Sequence, residues 1–285
     1  LKSRFYFEQE GTFGDRKVLI ERLVPADDRG IRVVLFHGVH GCSSYVEGNK
    51  YKDLADLLLQ RGLEVFLVET SRISRDRGFY GNDRESWARK SFNGKTYAQD
   101  LLDNCRALSF IVKNFPKSLI ILWGFSLGGI HALNITGGIW RSLLESNEPG
   151  STDLDLPEID RLVISGSGDQ IRDEVSSSLS LPVLSTVSSP ARLYEAASNI
   201  RAGKVLFFYG TLDMTFSEES SRRIFDLVGS EDKKFMLIDG ADHSFREIKG
   251  LPSKEPLVQM VDILSGEGFF SATRARLGGN QENRG

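Results

Sequence analysis

Cysteine is scarce in this 285-residue chain, with only Cys42 and Cys105 present. Two are too few for a disulfide framework, and a pair of buried thiols is the expected state. Long apolar runs are absent too, and none approaches the ~20 residues that a helix needs to cross a bilayer. No charge of one sign dominates: 36 basic against 39 acidic residues leave a formal net charge of −3. That balance offers no electrostatic case for nucleic acid or an anionic membrane surface as partner. The opening residues Leu1-Lys2-Ser3-Arg4-Phe5 lack the pattern of a signal peptide. A cytoplasmic protein is the expectation, but the chain does not begin with Met, and a removed upstream segment stays open as an alternative. Histidine is sparse as well, and His37, His40, His131 and His243 are the four imidazoles from which acid–base chemistry can draw.

The rest of the composition is that of an ordinary globular protein. The length suits one large domain or two small ones, with a core that needs no disulfide or metal to staple it. A single domain over residues 1–285 is the expectation. Short apolar runs alternate with amphipathic stretches. Strands are predicted over residues 4–8, 17–24, 32–36, 63–68, 118–123, 161–165, 204–209 and 234–238. Helices are predicted over 51–60, 97–114, 217–228 and 256–264, with another starting near Leu127. Three stretches break the rhythm. Residues 71–94 are polar and carry Arg72, Arg75, Arg77, Arg84 and Arg89, which reads as a long loop, either a solvated charged surface or a wall favouring an anionic substrate. Residues 145–158 form a second polar break, and 167–199 a serine-rich one with short helices at most. The tail over 267–285 is expected to be mobile. Buried strands alternating with helices imply a mostly parallel sheet covered on both faces.

Ligands of such sheets sit beyond the carboxyl ends of the strands. There lie His37-Gly38, Ser126, Asp213 and His243. Ser126 stands in Gly124-Phe125-Ser126-Leu127-Gly128, between an apolar strand and a helix. The spacing is that of a nucleophile elbow, which holds a serine hydroxyl clear of the sheet. A serine hydroxyl needs a base to take its proton, and the base needs a third group to fix its tautomer. His243, just past the last predicted strand, is the expected base, against the alternative of a surface-loop histidine. His131 lies five residues beyond Ser126 on the following helix and is expected to face away. Asp213 is the expected acid, with Asp169 as fallback. Asp242 adjoins His243, but neighbouring side chains diverge. For a tetrahedral intermediate the oxyanion donors are assigned to the backbone N–H of Leu127, at a helix N-terminus, and to that of Val39. His37 is expected to be a hydrogen-bonded structural residue.

These motifs together resemble the α/β-hydrolases. The resemblance rests on His37-Gly38, on Gly124-Phe125-Ser126-Leu127-Gly128, on Gly210-Thr211-Leu212-Asp213 and on Asp242-His243, in the chain order Ser, Asp, His, and spans roughly residues 18–264. It implies a central eight-stranded sheet, mostly parallel, with the first strands antiparallel. It also implies a lid after the sixth strand, where residues 167–200 fall. One departure stands out: relatives often carry Asp-x-x-Gly after the fourth strand, and here the chain reads Glu69-Thr70-Ser71-Arg72. The expected activity is hydrolysis of a carboxylic ester, a small molecule, through an acyl-enzyme and without metal or organic cofactor. Thioester cleavage or acyl transfer by the same residues is one alternative. A non-catalytic binding protein on a hydrolase scaffold is another.

Overall fold

Eight strands, each of five residues or more, set the frame. The computed structural model describes residues 1–39, 42–76, 83–116, 119–148, 150, 152–173 and 181–271. His40, Arg77, the side chain of Arg84, residues 174–180 of the expected lid and 272–285 of the expected tail lie outside the described residues. In chain order the elements are β1 (Ser3–Glu10), β2 (Lys17–Val24), β3 (Ile31–Phe36), α1 (Lys50–Gln60), β4 (Glu64–Glu69), α2 (Arg84–Phe92), α3 (Tyr97–Asn114), β5 (Leu119–Phe125), α4 (Leu127–Thr136) and α5 (Trp140–Asn147). There follow β6 (Arg161–Ser165), α6 (Pro182–Ser185), α7 (Pro190–Asn199), β7 (Lys204–Leu212), α8 (Glu218–Leu227), β8 (Lys233–Asp242), β9 (Glu247–Ile248), β10 (Leu251–Pro252) and α9 (Glu255–Gly266).

The strands join in one mixed sheet of order β1-β2-β4-β3-β5-β6-β7-β8-β9-β10. Pairs from β4 and β3 through to β8 are parallel, whereas β1 with β2 and β2 with β4 are antiparallel. Among the described residues the sheet therefore has ten strands, where eight were expected. The extra two are two residues each and turn back antiparallel on the end of β8. Every residue of β3, β4, β5 and β6 is buried, as a sheet covered on both faces requires. One apolar layer joins the sheet to α3, α4, α7 and α8, and the other joins it to α1 and α9.

Residues 71–94 are not one long loop. Asp83 caps α2 by accepting from Ser86 N–H, and Trp87, Ala88 and Phe92 bury on the α3 side of the sheet. Only those apolar residues mark the helix, too few for a visible period among the arginines and serines. The polar break at 145 likewise begins inside α5, which buries only Trp140 and Leu144. The expected tail also starts later than 267, since Phe269 and Phe270 pack with α9, and Arg161 donates to the Ser271 carbonyl at 2.8 Å. Both cysteines are buried, and they are not joined in a disulfide. Among the described residues no helix is long and apolar enough to cross a membrane.

Candidate active site

Ser126 sits between the last residue of β5 and the first of α4, at φ 54° and ψ −120°. A non-glycine residue at positive φ costs of order 1–3 kcal/mol and persists only where its surroundings force it. The forcing contacts are visible. Ser126 N–H donates to the Ser165 carbonyl at 2.9 Å, and Ser167 Oγ donates to the Ser126 carbonyl at 2.7 Å. The flanking glycines let the turn close: a Cβ on Gly124 would lie 2.2 Å from the Gly128 carbonyl oxygen, and one on Gly128 would lie 2.5 Å from that of Phe36. The side chain is thereby pushed out beyond the strand ends.

Asp213 and His243 arrive from the next strands. β7 and β8 shift register between Gly210 and Leu212 as they end, and the two residues follow on adjacent loops. His243 Nδ1 lies 2.8 Å from Asp213 Oδ2, and its Nε2 lies 3.1 Å from Ser126 Oγ. Asp213 Oδ1 accepts from Thr215 N–H at 2.7 Å and Phe216 N–H at 3.0 Å, so the carboxylate is held from both sides. A carboxylate is acceptor-only. It places the imidazole proton on Nδ1 and leaves the Nε2 lone pair facing the serine hydroxyl. The Asp213 side chain is sealed, whereas that of His243 keeps 24% of its surface exposed.

The other candidates are occupied elsewhere. Asp169 accepts from Arg223 at 2.6 and 2.8 Å, from Ser220 Oγ and from the Tyr194 hydroxyl. Burial pushes its carboxyl up, but these partners outweigh burial and hold it below the usual range. Asp242 turns away and accepts from Ser244 and from the Arg246 and Glu247 N–H groups. His131 is buried on α4 with Nε2 2.8 Å from Asp100 Oδ2, in a sealed cluster where Lys95 pairs with Asp100 at 2.7 Å and Asp103 at 2.9 Å. His37 is buried as well. Its Nδ1 lies 2.8 Å from the Gly38 carbonyl oxygen, and its Nε2 lies 3.3 Å from Thr70 N and 3.1 Å from Arg72 Nη2.

Ser126 and His243 open into a cavity of about 560 Å³. Leu127, whose N–H begins α4, and Val39 both line it. Its apolar wall includes Tyr51, Ile130, Leu184, Val187 and Phe216, and its polar wall Lys50, Asp173 and Ser188. Residues 184 and 187–190, around α6 and α7, form one side. The described residues between 71 and 94 contribute nothing to this lining, contrary to the expectation that they shape the pocket. Neither Arg72 nor Arg75 turns to the cavity: Arg72 is fully buried against Glu69 at 3.1 Å, and the half-buried Arg75 joins Glu69 to Asp15. Arg89 pairs on the surface with Glu85. The sequence had no signal for the buried Arg72–His37 contact, because the two are separated by 35 positions and Arg72 reads as one of five loop arginines.

No protein-family profile matches the chain, and no curated protein matches it. Solved structures of similar fold do exist. The esterase domain of a Rhodothermus marinus protein is 15% identical, with a TM-score of 0.60 over 93% of this chain and 98% of that one. A monoacylglycerol lipase from Paleococcus ferrophilus is 18% identical, with a TM-score of 0.58 over 87% and 99%. An α/β serine hydrolase without lid from Xanthomonas campestris is 12% identical, with a TM-score of 0.58 over 96% and 98%. Strand order, the elbow after β5 and these likenesses agree: the chain has the α/β-hydrolase fold.

Proposed function

We propose that the chain is a serine hydrolase that cleaves a carboxylic ester through an acyl-enzyme. The observation that carries this reading is the unbroken line from Asp213 through His243 to Ser126, at 2.8 and 3.1 Å. Ser126 Oγ attacks the ester carbonyl while His243 Nε2 takes its proton. Asp213 holds the ring in the required tautomer and stabilises the imidazolium. The imidazolium then protonates the leaving alkoxide, and the acyl group stays on Ser126. Water enters and attacks the acyl carbonyl while His243 takes its proton; the imidazolium returns that proton to Ser126 Oγ as the acyl–oxygen bond breaks, and the acid leaves. The N–H groups of Leu127 and Val39 stabilise the oxyanion in both halves. The dipole of α4 adds to the effect at Leu127.

The described part of the expected lid, residues 167–173 and 181–200, covers one side of the site on the single domain, with Leu184 and Val187 on the side that receives substrate. The largely apolar wall suits a small acyl ester rather than a polar polymer. The names of the similarly folded esterase and lipase support the ester bond as target. A thioester, or an acyl acceptor other than water, would use the same groups, because chemistry resides in the site and not in the fold.

A fluorophosphonate probe tests the reading. Wild type is expected to label on Ser126 and Ser126→Ala to stay unlabelled. An unlabelled wild type would favour a binding protein on this scaffold. A panel of aryl esters, with a thioester and an anilide beside it, then ranks the acyl and leaving groups.

A further inference from the structure

We propose that Arg72 is a positioning residue for the oxyanion site, acting through His37 on the direction of the Val39 N–H; this rests on the hydrolase reading above. The argument begins at His37 Nε2. Both groups that face it, the Arg72 guanidinium at 3.1 Å and the Thr70 N–H at 3.3 Å, are donors only. Nε2 therefore accepts, and the proton sits on Nδ1, which donates to the Gly38 carbonyl at 2.8 Å. That carbonyl belongs to the same peptide unit as the Val39 N–H. The peptide is trans, so the two point in opposite directions. Drawing the Gly38 oxygen inward, toward a ring that is only 4% exposed, sends the Val39 N–H outward to the cavity that Val39 lines. The peptide passes close to the nucleophile: a Cβ on Gly38 would lie 2.9 Å from Ser126 Cβ and 3.5 Å from its Oγ.

Arg72 is built for holding. It is fully buried, donates through Nε to the Thr70 carbonyl at 3.1 Å, and pairs through Nη1 with Glu69 at 3.1 Å. Its guanidinium lies 5.3 Å from the Trp87 ring centre and 5.0 Å from that of Phe92, both on or at the end of α2. Neutralising Glu69 does not explain it, because Arg75 already pairs with the other oxygen of that carboxylate at 3.2 Å. Glu69-Thr70-Ser71-Arg72, the departure noted after the fourth strand, thus supplies the clamp, and α2 is its backing.

The test uses Arg72→Met and Arg72→Lys in the full chain. With an aryl ester, Arg72→Met is expected to lower kcat ~10–100-fold, short of the loss of a whole oxyanion donor, with KM changed less than about threefold. Arg72→Lys, which keeps a donor, is expected to recover part of that loss. Nitrogen-15 NMR of His37 reads the clamp without turnover: wild type is expected to show the pure Nδ1–H tautomer, and Arg72→Met a mixture. A wild-type kcat in Arg72→Met overturns the proposal, as does a lowered kcat with the His37 nitrogen shifts unchanged. If Arg72→Met does not fold, Arg72→Lys carries the same two readings, with a smaller fall. If wild type turns over no ester, the hydrolase reading fails. A mixed His37 tautomer in wild type would then remove the clamp as well.

Discussion

Two histidines stand on the same rim of the sheet and are treated in opposite ways. His37 follows β3, is sealed, and has both nitrogens committed to groups that do not exchange protons: a carbonyl on one side, a guanidinium and an amide on the other. Burial, and then the charge of Arg72, push its pKa down to about 3. His243 follows β8, keeps a quarter of its side chain exposed, and has one nitrogen on a carboxylate and the other on a hydroxyl. The contrast fits the role proposed for each. An imidazole that passes a proton is given a partner that can lose one and a flank open to water. An imidazole that keeps a backbone in place is given partners with nothing to exchange and no open flank.

The largest effect should come from the open site. Ser126→Ala is expected to lower ester turnover by ~10⁴-fold or more, with the melting temperature nearly unchanged; turnover near wild type would break the distinction between the two histidines. Asp213→Asn should cost ~10³–10⁴ in kcat, because a neutral amide no longer dictates the imidazole tautomer. Its KM and melting curve serve as the controls. The sealed cluster around His131 should respond in stability instead. Lys95→Met would strip the ammonium shared by Asp100 and Asp103 and is expected to cost ~3–5 kcal/mol, as for a broken buried ion pair. Urea unfolding measures that loss, and activity per folded molecule should hold.

The smallest effect is a slope. The pKa of His37 in the folded chain, about 3, lies below that of an unfolded histidine. The stability tied to its neutral form is therefore complete above about pH 6.5 and is lost as pH falls toward 3, at up to ~1.4 kcal/mol per pH unit. Denaturant unfolding of wild type and His37→Asn between those limits should show the shallower acid slope in the variant. Equal slopes would mean that His37 is not held neutral.

Much of this was legible in the sequence where one periodicity dominates. Tyr97–Asn114 and Arg161–Ser165 coincide with their predicted bounds, because their apolar residues repeat cleanly with the helical period or form one buried run. Ser126, Asp213 and His243 could be singled out because each follows a strand, and the structure brings all three together. The ends of β7 and β8 were missed because Gly210, Thr211, Asp239 and Gly240 look like loop residues, yet the two strands pair there. α2 was missed because only three buried apolar side chains anchor it against a polar background. Arg72 was misread for a deeper reason. Its counter-charge Glu69 is local, but burial also rests on partners distant in sequence, here His37 and the rings around it, and no local pattern announces those.

The central claim is that Ser126 carries the acyl group. Rapid mixing of the enzyme with an aryl ester, quenched within one turnover and followed by peptide mass mapping, tests it most directly. A burst of released phenol with the acyl mass on the peptide containing Ser126, absent from Ser126→Ala, is the expected result. Turnover with the acyl group on another residue, or an equal burst from Ser126→Ala, would contradict it.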